Sequence, residues 1–84
     1  MLKNLIKGDF SEDYSTNIEI ISNSKVIIGG VRSIIEYEDT TVRIDTEKFI
    51  VSVQGTGLSM NSYKDDVIIV CGIIKGVMLD GELI

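Results

Sequence analysis

The chain has 84 residues and a formal net charge of −5, with one cysteine and no histidine, proline or tryptophan. That length supports one small domain, and the acidic balance, with no basic patch, repels a phosphate backbone and excludes nucleic acid as a partner. A lone Cys71 without any histidine leaves no disulfide within the chain and removes the usual metal ligands and general bases, so Cys71 reads as a small buried hydrophobe and no cofactor or metal is expected.

In residues 1–16, Leu2, Leu5, Ile6 and Phe10 recur at a loosely helical spacing that Gly8 interrupts. This stretch reads as a short helix or a flexible arm. No apolar run is long enough for a signal peptide or a membrane span, and the expectation is a cytoplasmic protein. Residues 17–84 read as a single β domain, because Ile and Val, branched at Cβ, dominate its apolar positions.

Ile18 and Ile20 flank Glu19 ahead of a Ser22-Asn23-Ser24 turn, and Val26 and Ile28 then alternate up to Gly29-Gly30, where a tight reversal is expected. Strict alternation through 31–38 places Val31, Ser33, Ile35 and Tyr37 on one face, with Arg32, Ile34, Glu36 and Glu38 on the other. After the turn at Glu38-Asp39-Thr40, Val42 and Ile44 alternate with polar neighbours. Phe49, Val51 and Val53 lead to Gly55, Leu58 and Met60 continue the pattern, and Asn61 to Asp66 make a polar turn. The stretch 67–79 is apolar on both faces, which predicts a central strand, or one whose outer face meets the N-terminal segment or another subunit.

Gly30, Gly55 and Gly72 each close a short apolar alternation, and they read as fold determinants at strand ends. Turn signals every eight to twelve residues or so predict seven or eight short antiparallel strands in an all-β sandwich or small barrel. Neither Gly29-Gly30 nor Gly55-Thr56-Gly57 leads into a helix pattern, so no phosphate loop is expected. The acidic residues Glu36, Glu38, Asp39, Asp65 and Asp66 lack Ca²⁺-loop spacing and read as solvated turn residues. Tyr14, Tyr37 and Tyr63 read as rings covering sheet edges.

The succession Val26-x-Ile28-x-Gly30-Val31, Val42-x-Ile44-x-Thr46, Val51-x-Val53-x-Gly55-x-x-Leu58-x-Met60 and Ile68-x-Val70-x-Gly72-x-Ile74-x-x-Val77 resembles the YabP/YqfC family of sporulation proteins. The resemblance spans Ile18 to Leu79, and residues 1–16 match nothing in it. It implies an immunoglobulin-like β-sandwich that is not an enzyme and acts in endospore maturation, in cortex or coat formation. It also implies a membrane-associated sporulation protein as partner, and hence a cytoplasmic site of action that extends to the periphery of the forespore membrane.

The resulting expectation is an interaction or assembly module that offers a sheet edge or apolar face to such a partner or to itself as a homo-oligomer. Ile34, Tyr37, Ile68 and Val70 are the candidate interface residues. The competing reading is a small-ligand or glycan module with a loop-end site at Tyr37, Glu38, Tyr63 and Asp65. It is disfavoured by an aromatic content of 6%.

Overall fold

The structure is a computed structural model that describes residues 16–64, 66–80 and 82–83. The helix or arm expected at the N-terminus therefore lies outside the described residues, apart from Thr16. The described chain is all β: β1 (Asn17–Ile21), β2 (Lys25–Gly29), β3 (Val31–Tyr37), β4 (Thr41–Thr46), β5 (Ile50–Lys64), β6 (Val67–Leu79) and β7 (Glu82–Leu83). Six of these lie side by side in the order β1-β2-β6-β5-β4-β3, and the two-residue β7 joins β6. Every pairing is antiparallel.

The apolar alternation of β2 and β4 sets which face is covered. Val26 and Ile28 stand opposite Val70 and Ile68, while Val42 and Ile44 stand opposite Val53 and Val51. Residues paired across an antiparallel ladder share a face. All eight are buried, and with Leu58, Ile74 and Val77 they form one cluster. Each such side chain contributes about 1.5–3 kcal/mol by leaving water.

The expected sandwich of separate sheets is replaced by one continuous sheet. The difference lies in β5 and β6, which run for 15 and 13 residues where the glycines predicted strand ends. Gly55 and Gly72 sit inside these long strands, and the ladder passes them through register shifts between Gln54 and Gly55 and between Thr56 and Ser59. One half of the sheet holds β1, β2, the start of β6 and the end of β5. The other holds β3, β4, the start of β5 and the end of β6. Because buried residues of both halves belong to one cluster, the sheet curls over itself around them.

The curl is locked by two hairpin turns. Where the ladder shifts in β5, the Gly55 and Leu58 amides donate to Thr40 and Asp39 carbonyls in the β3–β4 turn, at 3.1 and 2.8 Å. Where β6 bends, the Gly72 and Ile74 amides donate to Ser24 and Asn23 carbonyls in the β1–β2 turn, at 3.2 and 2.7 Å. Backbone groups released by the bend thus find new acceptors, as buried groups must. Glycine is required here: a Cβ on Gly55 would collide with the Ile73 carbonyl, and Gly72 has φ 141° with Gly57 and Leu58 backbone packed against it. The tight reversal expected at Gly29-Gly30 does not form a hairpin: β2 pairs with β6 and β3 with β4, and Gly30, at φ 79°, is the single residue that carries the chain from one half of the sheet into the other.

Candidate interaction surface

Among the described residues, β1 pairs only with β2, β3 only with β4 and the two-residue β7 only with β6, and the end of β5 (59–64) has β6 alone beside it, so β1 and β3 are the two whole strands longer than two residues that lie at an edge. Edge strands carry backbone groups free to receive another strand. The edge β3 also departs from the alternation its sequence predicts. Register shifts between Val31 and Ser33 and between Ile34 and Glu36 place Val31, Ile34 and Tyr37 opposite Thr46, Ile44 and Val42. These three are therefore on the core side of the sheet at a spacing of three, while Ser33 and Glu36 stand opposite Asp45 and Arg43 on the outer side. Two bulges explain the change, since each inserts a residue and reverses the phase of those after it.

At the rim of the core, the large apolar residues in the second half of β3, core-side Ile34 and Tyr37 and the bulge residue Ile35, remain half uncovered. Ile34, Ile35 and Tyr37 are 47%, 46% and 49% exposed. On the outer side Arg32 Nε approaches Asp45 Oδ2, and Arg43 Nη1 approaches Glu36 Oε1, both at 3.9 Å with substantial solvent exposure. Pairs this long and wet add little stability. The first amide of the strand is engaged elsewhere, because Val31 N donates to the Asp66 carbonyl at 3.0 Å.

The other expected interface residues are placed differently. Ile68 and Val70 point into the core, at 7% and 0% exposure, and offer nothing to a partner. The outer face of β6 is formed instead by Val67, Ile69 and Cys71, all half-buried, with Ile69 opposite Ile27 of β2. Cys71 is thus less covered than predicted. Sequence reasoning missed Ile20, Ile21 and Ile73 as exposed apolar residues. Consecutive apolar pairs such as Ile20-Ile21 and Ile34-Ile35 were the available signal, because a regular strand cannot bury both members on one face.

The residues of the loop-end glycan site are not brought together. The β5–β6 turn approaches the start of β3 through the Val31–Asp66 hydrogen bond, whereas Tyr37 and Glu38 are at its far end, on the order of 15–20 Å away. Asp65 lies outside the described residues. An open groove of about 460 Å³ occupies the outer face of β4, β5 and β6, lined by Thr41, Arg43, Ser52, Met78 and Asp80 among others. No group of three or more His, Cys, Asp or Glu side chains able to hold a metal occurs among the described residues.

The YabP family profile matches residues 12–82, which is most of the chain. The chain belongs to the YabP family. That assignment covers all seven strands almost completely, including both edges and the bend, and it points to a sporulation-related protein. No curated protein and no solved structure matches this YabP-family chain significantly. Among its described residues, no helix is long and apolar enough to cross a membrane.

Proposed function

We propose that this YabP-family chain is a non-enzymatic interaction module of endospore maturation, acting in cortex or coat formation through the edge strand β3. The observation that carries the reading is the concentration of half-exposed Ile34, Ile35 and Tyr37 on one edge strand. An edge backbone supplies affinity, and the side chains beside it supply selectivity. The module works in the cytoplasm of the sporulating cell, at the periphery of the forespore membrane, where its partner is a membrane-associated sporulation protein. Its chemistry is recognition: with no histidine in the chain, groups able to shuttle protons near neutral pH are few.

The test is allelic replacement in the spore-forming host with Ile34→Asp and Tyr37→Ser together, scoring heat-resistant spores, cortex and coat thickness, and the amount of the protein. The reading expects defective spores at an unchanged protein level. Normal spores carrying the variant at a normal level would refute it.

A further inference from the structure

We infer that β3 also receives β3 of a second copy of this chain, antiparallel, about a two-fold axis at Ile34. This rests on the reading of β3 as an interaction edge and names one occupant for it. The argument is the self-complementarity of the strand. Reversed about Ile34, the segment Val31-Arg32-Ser33-Ile34-Ile35-Glu36-Tyr37 sets Arg32 opposite Glu36 of the second copy and Glu36 opposite its Arg32. The core-side residues Val31, Ile34 and Tyr37 are symmetric about the same point, so Ile34 meets Ile34 and Tyr37 meets Val31. An isologous contact requires this kind of match.

Charge does not oppose pairing through β3. The protein carries −5 overall, yet β3 is neutral, with one arginine and one glutamate. Its two charges are exposed and held only by 3.9 Å contacts to Asp45 and Arg43, so they remain available to a second strand. The edge strand β1 lacks the match, since β1 reversed about its centre sets Glu19 against Glu19, and like charges placed opposite are unfavourable. The bulges of β3 blunt it against indiscriminate pairing and leave a matched strand as the favoured one.

The experiment uses the full chain, by light scattering and sedimentation over a concentration series. The wild type is expected to stop at a dimer. Arg32→Glu alone and Glu36→Arg alone each place like charges at both contacts, and each should weaken association about tenfold or more. Mixing these two variants restores both opposite-charge contacts, so a heterodimer of near wild-type affinity should form. Arg32→Glu loses the contact to Asp45 and Glu36→Arg the contact to Arg43, and mixing restores neither, so recovery cannot come from them. A monomer at every concentration, growth beyond a dimer, or no recovery on mixing would each overturn the proposal. A monomeric wild type accompanied by the sporulation defect of the Ile34→Asp, Tyr37→Ser allele would overturn self-pairing alone and leave the heterologous partner standing.

Discussion

Replacing Gly55 by alanine puts a methyl group into the Ile73 carbonyl, with the Ile73 carbonyl carbon at 3.0 Å and Leu58 Cδ2 at 3.1 Å. Two of these contacts are backbone, so β5 and β6 must separate where they bend, and the hydrogen bond from Gly55 N to Thr40 O is strained with them. Overpacking costs about 1–3 kcal/mol and each weakened hydrogen bond about 1 more, giving about 3 kcal/mol in all. A chain of this size has roughly 4–13 kcal/mol to lose, and the melting temperature should fall by about 12–24 °C. Gly76→Ala is the internal control. A methyl group there meets nothing within 4 Å, and the residue is outside the left-handed region, so alanine should be neutral or stabilise by up to about 1 kcal/mol. Thermal and urea unfolding followed by circular dichroism measure both. If Gly55→Ala melted within a few degrees of wild type, the bend would not depend on the missing side chain and this reasoning would fail.

Three further outcomes follow from the same geometry. Buried Thr46 uses Oγ1 to accept the Phe49 and Lys48 amides at 3.0 and 3.3 Å, so Thr46→Val should cost about 1–3 kcal/mol by urea unfolding; equal stability would show that water replaces the hydroxyl. Asp80 holds φ 52° and accepts the Ile50 amide on Oδ1 at 2.9 Å, so Asp80→Ala should cost about 1 kcal/mol and Asp80→Asn less, a ranking that equal losses in the two variants would contradict. Ile34→Asp, at a half-covered site opposite Ile44, should lose about 1–2 kcal/mol and still unfold cooperatively while Val70→Asp abolishes cooperative unfolding, and a folded Val70→Asp would remove Val70 from the core.

The alternation of Val26 with Ile28, Val42 with Ile44, Val51 with Val53 and Ile68 with Val70 made the β class and most of the core legible, because each pair sits on a regular ladder. The phase of β3 was not legible. Its two bulges are set by pairing with β4, and only the adjacent Ile34-Ile35 hinted at them. Glycines inside β5 and β6 look in sequence like strand ends, and what keeps the strands running is a pair of turns distant in sequence that accept the freed amides. Ile68 and Val70 were misassigned to a surface because β6 is apolar on both faces, so its own pattern cannot choose the inner one. Their pairing with Ile28 and Val26 makes that choice.

Amide hydrogen exchange of the full chain, compared between dilute and concentrated samples, asks directly which edge receives a strand. Slower exchange at residues 34–37 with rising concentration, with β1 at residues 17–21 unchanged, is the predicted result. Protection that appears at β1, or at neither β1 nor β3 over the whole range, would contradict pairing through β3.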